Sequence, residues 1–338
     1  RAETIVTRMG STMQIGTESN PIQQGSEARI TFVHHEDISE KGNDPERISK
    51  GLITMGELEI YGADKTSWDE LASAPTAGDT SIELASAPTN WTEGDELVVP
   101  GLDPHNNQDE ERTIASVSGS TVELDEPLEH DHAPPENNLD VELTAYALNL
   151  SRNVVLESEV KERDPDKEAR INRQGHMMVM QPAQSLHNFR TIHLGRTNKK
   201  FKIDNPRHGS ETSDGDEPNR QARYSVHTHM TGLDAEPHEF SGVVTQNSPG
   251  WGIVNHFSHA NVRDSITYQV YGAGFVAESG PERGAFERCF ALRSRGTPNN
   301  RRLSDREAHP EFGFEGNGFW FQGPGVAMED CVAAGHDT

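Results

Sequence analysis

The chain has 338 residues and a formal charge of -25, with 55 acidic against 30 basic side chains. So acidic a surface repels nucleic acid and anionic membranes. The sequence contains no run of 18 apolar residues, so it predicts no membrane-spanning helix. Only 32% of residues are hydrophobic, and 30 Gly and 19 Pro are present, which favours a loop-rich, all-β protein over a helical one. The acidic residues are spread along the chain, which favours a salt-adapted, halophilic surface over a dedicated store of cations.

The first 146 residues consist of short strand-like runs separated by turns. Alternating or apolar patterns predict strands within residues 4–9, 11–16, 28–33, 51–62, 80–88, 95–101, 111–128 and 141–148. In the longest of these runs, residues 117–121 (VSGST) predict the turn of a hairpin. Tandem strands at this spacing indicate a β-sandwich-like domain over residues 1–146.

Residues 147–338 show a different pattern, which predicts a right-handed parallel β-helix. Three segments align with offsets of 24 and 42 residues, as expected for coils of about 20–25 residues with one insertion. The alignment predicts two ladders of stacked side chains: Val262, Phe286 and Met328 inside the coils, and Ile266, Phe290 and Val332 at a second position. It also stacks Cys289 on Cys331, where two buried free thiols are favoured over a disulfide or a catalytic thiol.

Three polar segments interrupt the apolar pattern, and the first two lack the periodicity of a helix or a strand. They cover residues 157–173, 205–220 and 293–311, and the third of them is basic. We interpret them as surface excursions, because long excursions on a regular scaffold often border a binding site.

The candidate site centres on residues 223–230, where polar and apolar side chains alternate. Tyr224, Val226, Thr228 and Met230 alternate with Arg223, Ser225, His227 and His229. Because the side chains of a strand point to opposite faces, one face is predicted to be apolar and the other to carry a guanidinium and two imidazoles. Imidazoles titrate near neutral pH and bind metals, so this face suits chemistry, although the polar face of an ordinary strand would look the same.

Stacking of the coils extends this face into a column of polar side chains. In the column, an Arg can pair with the carboxylate of a uronate sugar, a neutral His can take a proton, and Glu278 can act as an acid or orient a His. Hydrolases normally place two carboxylates at the bond, and this column offers His and Arg more readily, which favours eliminative or metal-assisted cleavage. The predicted catalytic residues are Arg223, His227, His229, His256 and Glu278, and the predicted substrate-binding residues are His193, Arg196, Trp251 and His259.

Two other interpretations of the column stay open. His227 and His229, with His256 or Glu278 from a neighbouring coil, could hold a transition metal, whereas calcium would prefer the oxygen ligands of the acidic loops. The second is a non-catalytic glycan-binding or adhesion module in which Trp251 stacks on a sugar. For that Trp, packing between coils is the more ordinary role.

Several segments, in their order along the chain, resemble a known family. LITMGELEIYG (Leu52–Gly62), WTEGDELVV (Trp91–Val99) and the run Glu110–His132 resemble the later part of the G8 domain. RYSVHTHM (Arg223–Met230) and GFWFQGPGVAMEDCVAAGH (Gly318–His336) resemble the parallel β-helix that follows it. From about Ile5 to His336, the chain resembles the cell-migration-inducing hyaluronidase and transmembrane hyaluronidase-like proteins and their bacterial or archaeal relatives.

This resemblance implies a secreted or cell-surface protein that degrades an acidic, hyaluronan-like polysaccharide. It implies calcium as one possible divalent cation, and it implies that the chain begins inside the G8-like domain and stops inside the helix. It supplies no catalytic residues, so the residues named above rest on the sequence pattern.

Overall fold

The computed structural model describes residues 1–35, 44, 47–103, 106–134, 143–159, 174–201, 203, 219–297 and 312–337. Within these ranges the protein is all-β, with 26 strands and no helix. It follows that no helix in the described ranges is long and apolar enough to cross a bilayer. Most of the three predicted excursions lies outside the described residues, so their placement stays a prediction.

Twenty of these strands wind into a parallel β-helix of seven coils, as predicted. Each coil contributes to three parallel sheets. Sheet 1 contains β1 (Thr4–Thr7), β4 (Gly51–Thr54), β13 (His176–Val179), β16 (Val226–Gly232), the first part of β19 (Ile253–Arg263), β21 (Ala273–Ala277) and β24 (Asn317–Phe321).

Sheets 2 and 3 are built in the same way from the later strands of each coil. Sheet 2 contains β2 (Thr12–Ile15), β5 (Glu57–Tyr61), β14 (Ser185–His187), β17 (His238–Ser241), the second part of β19, β22 (Arg283–Glu287) and β25 (Val326–Glu329). Sheet 3 contains β3 (Ala28–Phe32), β12 (Val154–Ser158), β15 (Phe189–Ile192), β18 (Val244–Gln246), β20 (Ile266–Tyr268), β23 (Phe290–Leu292) and β26 (Val332–Ala334).

The core is the interior of the coils, where every second side chain of a strand points inward. In sheet 1 the stacked residues Leu52, Met177, Val226, Ile253 and Phe275 are all buried in one cluster. A single coil cannot enclose its own apolar face, so each coil is stabilised by the coils above and below it.

The predicted register of the last coils is confirmed. Val262 pairs with Phe286 and Phe286 with Met328, and the ladder of Ile266, Phe290 and Val332 is also observed. The prediction that Met328 is inside is wrong: it is 53% exposed, because no strand of the described residues stacks beyond β25. Both thiols are free as predicted; Cys289 is buried, but Cys331 in the last coil is only half-buried.

A six-stranded antiparallel sheet is inserted between β5 and β12. Its strands, in the spatial order β6-β11-β8-β9-β10-β7, are β6 (Trp68–Glu70), β7 (Ser81–Glu83), β8 (Glu96–Val99), β9 (Glu110–Ser118), β10 (Thr121–Leu124) and β11 (Tyr146–Asn149). The predicted hairpin is present as β9 and β10, with Thr121 opposite Ser118. Trp68, Val98 and Leu148 of this sheet form one buried cluster with Ile266 and Phe290, so the insertion covers the outer face of sheet 3.

The sheets do not follow the predicted division at residues 146 and 147. Strands β1 to β5 already belong to the parallel sheets, for example through the pairing of Ile60 with Leu186. The alternating pattern of a strand is the same in either kind of sheet. It therefore did not indicate that β3, β4 and β5 pair with strands more than a hundred residues away in the chain.

Candidate functional site

The candidate site lies on the outer face of sheet 1, on coils four to six. Val226 and Ile253 point into the core, so the alternation places His227 and His229 of β16 and His256 of β19 on the outside. His229 and His256 are direct partners in the parallel register. Glu278 follows β21 on the next coil, where its amide donates to the carbonyl of Asn255.

These four side chains converge, as the coil alignment predicted. Oε2 of Glu278 lies 3.7 Å from Nε2 of His227 and 3.7 Å from Nδ1 of His256. Nδ1 of His229 lies 3.0 Å from Nδ1 of His256, and the ring centroids of His227 and His256 are 5.5 Å apart. Three imidazoles and one carboxylate therefore face a common centre.

Two residues that precede β16 fix the orientation of the buried members. Nδ1 of His227 lies 3.1 Å from the carbonyl oxygen of Ala222, which only accepts, so Nδ1 carries the proton and Nε2 presents its lone pair to Glu278. The side-chain amide of Gln221 donates to Oε1 of Glu278 at 3.0 Å, leaving Oε2 turned toward the two rings. Nε2 of His227 and Oε2 of Glu278 are buried and meet no hydrogen-bond partner among the described residues.

Burial determines the charge of these groups. It lowers the pKa of His227 well below its usual value, and the neighbouring His229 and His256 lower it further. Burial raises the pKa of the Glu278 carboxyl, although His256, Lys199 and the hydrogen bond from Gln221 oppose that rise. Burial therefore favours the neutral form of both groups.

The predicted faces of the 223–230 segment are only partly correct. Tyr224 is fully buried, but it stacks on Trp251 in a separate apolar cluster outside the coils rather than in the core. Met230 is 61% exposed, because its φ of 54° and the register shift after His229 form a bulge that breaks the alternation. Phe257, the residue after His256, has a φ of 48° and is 41% exposed, so an apolar side chain follows each of these two His residues.

The two arginines proposed to bind a sugar carboxylate are buried. Arg196 is 2% exposed and donates to the carbonyl oxygens of Lys50 and Arg47. Arg223 is 7% exposed and donates to the carbonyl oxygens of Arg47 and Gln221. Both guanidiniums tie neighbouring segments together and are not available to a sugar carboxylate. The sequence pattern did not indicate that they are buried.

The other predicted substrate-binding residues do not join the cluster. His193 lies directly after β15, in sheet 3 rather than sheet 1, at a corner with a φ of 53°. His259 lies beyond Phe257, on the part of β19 that pairs in sheet 2, with Nδ1 3.2 Å from the carbonyl oxygen of Ala235. Trp251 is fully buried beneath Lys199, whose Nζ is 3.8 Å from the ring centroid, so its role is packing and it cannot stack on a sugar.

His227, His229 and His256 can also hold a metal, since one ligand atom from each lies within 4.8 Å of the others. No comparable group of oxygen ligands is found in the described ranges of the chain.

Sequence reasoning missed Gln221 and Ala222, which orient the site. Nothing in the pattern marks residues of a loop whose contacts depend on how that loop folds over the sheet.

Comparison with known proteins identifies one domain in this chain. Residues 1–72 match the model of the G8 domain. This G8 domain therefore comprises the strands β1 to β5 of the first two coils and β6 of the antiparallel sheet.

Fibrocystin-L of Homo sapiens is 32% identical over 170 residues, which cover 46% of this chain and 4% of that protein. A G8 domain-containing protein of Dictyostelium discoideum is 23% identical over 240 residues, which cover 69% of this chain and 18% of that protein. The chain thus spans a small part of these relatives.

Two phage tailspikes of known structure also align with the chain. The tailspike gp49 of Pseudomonas phage LKA1 is 12% identical, covers 95% of this chain and 50% of its own, and has a TM-score of 0.24. The Gp54 tailspike of Acinetobacter baumannii bacteriophage AP22, in complex with a capsular saccharide, is 12% identical, covers 99% and 63%, and has a TM-score of 0.22. At this distance the assignment of the β-helix rests on the strand register described above.

Proposed function

We propose that this protein acts outside the cell, where it binds and cleaves an acidic, uronate-containing polysaccharide of the hyaluronan type. The observation that carries the proposal is the convergence of His227, His229, His256 and Glu278 on the outer face of three successive coils. Sheet 1 stacks seven parallel strands, so a polymeric substrate can run across successive coils. Met230 and Phe257 add exposed apolar side chains beside the imidazoles, against which the apolar face of a sugar ring can pack.

Elimination fits this site better than hydrolysis by two carboxylates. The nearby Glu282 is 1% exposed and accepts hydrogen bonds from the amides of Phe257, Ser279 and Gly280, so it is committed to holding the backbone. Among the described residues this leaves Glu278 as the carboxylate that faces the rings, whereas hydrolysis normally uses a pair.

In the proposed elimination, an imidazole takes the proton from C5 of a uronate residue. The electron pair of that C–H bond forms the C4–C5 double bond while the C4–O bond breaks, and the leaving oxygen takes a proton from water. We assign the base to His229, which is less buried than His227 and lies at the edge of the cluster. The products would carry unsaturated ends, which hydrolysis does not give.

The test is His229→Ala, assayed on hyaluronan, chondroitin and alginate by chain length and by the absorbance of unsaturated ends. Loss of a general base should lower the rate by about 10² or more, while the melting temperature stays close to that of the wild type. The control is His187→Ala, which removes a half-buried imidazole of sheet 2 that stacks on Tyr61. Full activity of His229→Ala, or binding of all three glycans without shortening, would refute cleavage, and the second result would favour an adhesion module.

A further inference from the structure

We infer that the site binds one transition-metal ion of the zinc type, with His227, His256 and Glu278 as its protein ligands and His229 beside the remaining coordination position. This deepens the proposed function at the same site and rests on it for the catalytic meaning of the ion. The binding itself can be measured without any glycan.

The first observation is that two buried ligand atoms face each other without bonding. Nε2 of His227 and Oε2 of Glu278 belong to side chains that are 0% and 2% exposed, and neither atom has a hydrogen-bond partner among the described residues. Their separation of 3.7 Å is too long for a hydrogen bond. An orphaned buried acceptor is costly, so the arrangement calls for a further group between the two atoms.

The second observation is the spacing. Zinc bonds of about 2.0–2.2 Å in a tetrahedral arrangement separate neighbouring ligand atoms by about 3.3–3.5 Å. Oε2 of Glu278 lies 3.7 Å from Nε2 of His227 and 3.7 Å from Nδ1 of His256. Both separations exceed that spacing by only a few tenths of an ångström, and one ligand atom of His227 and one of His256 lie within 4.8 Å of each other. An ion at Nδ1 of His256 would replace the 3.0 Å contact of that atom with Nδ1 of His229.

The third observation is the set of outer contacts. A metal-bound His commonly donates its other ring N–H to a carbonyl, as Nδ1 of His227 does to Ala222, and a ligating carboxylate is itself hydrogen-bonded, as Oε1 of Glu278 is by Gln221. These contacts fix the tautomer of His227 and the orientation of Glu278 before any ion binds.

The ligand chemistry decides the class of ion. Two imidazole nitrogens and one carboxylate oxygen suit zinc or a neighbouring transition metal, whereas calcium takes six to eight oxygen ligands. Such an ion would act as a Lewis acid toward the carboxylate of the substrate. That would supply the positive charge which the buried Arg196 and Arg223 cannot present.

The test measures metal uptake by the whole chain. After chelation and dialysis, zinc or cobalt(II) is titrated in, and stoichiometry, affinity, melting temperature and the visible spectrum of bound cobalt are recorded. We expect one ion per chain, a higher melting temperature with zinc than with calcium, and a loss of at least about 100-fold in affinity for His256→Ala and Glu278→Gln. Gln221→Ala should lose about 10–100-fold, and His229→Ala should keep the ion.

These variants are chosen to fold. The His256 side chain is 20% exposed, and Gln has the shape of Glu at the buried position 278; Glu57→Gln and His187→Ala serve as controls on exposed and half-buried parts of sheet 2. The inference is overturned if the protein takes up no zinc, as expected if a water bridges the two atoms, or if both ligand variants keep wild-type affinity. Loss of zinc in His229→Ala overturns it as well. Zinc binding without cleavage of any glycan refutes the proposed function alone, and cleavage by a protein that takes up no zinc refutes this inference alone.

Discussion

The ladder of Val262, Phe286 and Met328 allows the packing of the β-helix to be tested at a single position. The three residues are register partners on successive coils, yet Phe286 is 0% exposed while Met328 is 53% exposed. Phe286→Ala and Met328→Ala therefore remove a large side chain from the same position of two successive coils. The first position lies within the stack, and the second lies in the last described coil.

Phe286→Ala should be strongly destabilising. The Phe286 ring packs against three other rings, with centroids 5.5 Å away for Phe275, 5.7 Å for Phe321 and 6.3 Å for Phe319. These rings are held by their own strands and cannot collapse fully into the space, so we expect a loss of about 3–5 kcal/mol. For Met328→Ala, where water already reaches the side chain and no closed cavity forms, we expect less than about 1 kcal/mol.

The assay is urea denaturation followed by circular dichroism, with the slope m compared between variants. A change in the midpoint without a change in m reports stability, and a change in m would show that the helix and the antiparallel sheet no longer unfold together. Equal losses for the two variants, or a loss below about 1 kcal/mol for Phe286→Ala, would show that this ladder is not packed as described.

Three further predictions concern charge and backbone strain. Raising the salt concentration should raise the melting temperature, because a net charge of -25 repels itself and salt screens that repulsion; a melting temperature that does not change with salt would contradict this. Burial lowers the pKa of His238 and of His336 to about 4. Between pH 6.5 and 4 the unfolded chain therefore binds more protons than the folded one. As the pH is lowered through this range, the free energy of unfolding should decrease by up to about 1.4 kcal/mol per pH unit for each His. Urea titrations of the wild type and of His238→Gln at pH 7 and pH 5 measure this. Met230→Asn should raise the melting temperature, equivalent to about 0.5–1 kcal/mol, because Asn tolerates the φ of 54° better than Met does; a lower melting temperature would show that the Met side chain contributes packing.

Much of the fold follows from the sequence because a β-helix repeats a short local pattern. The offsets that align Val262 with Phe286 are set by the length of one coil, and the alternation within each strand decides which side chains enter the core. The same rule brought His229 and His256 together, since parallel stacking places equivalent positions of successive coils side by side.

What only the tertiary structure decided is which outer side chains are covered and which strands are partners. Tyr224 and Ala222 lie against His227, and Gln221 donates to Glu278 beside it. These contacts depend on the path of the segment that leads into β16. The alternation of β1 to β5 is the same whether a strand pairs with its neighbour in sequence or with a distant coil, so their place in the helix could not be read from it. Local patterns fix the direction in which a side chain points, but burial and pairing depend on segments brought together from distant parts of the chain.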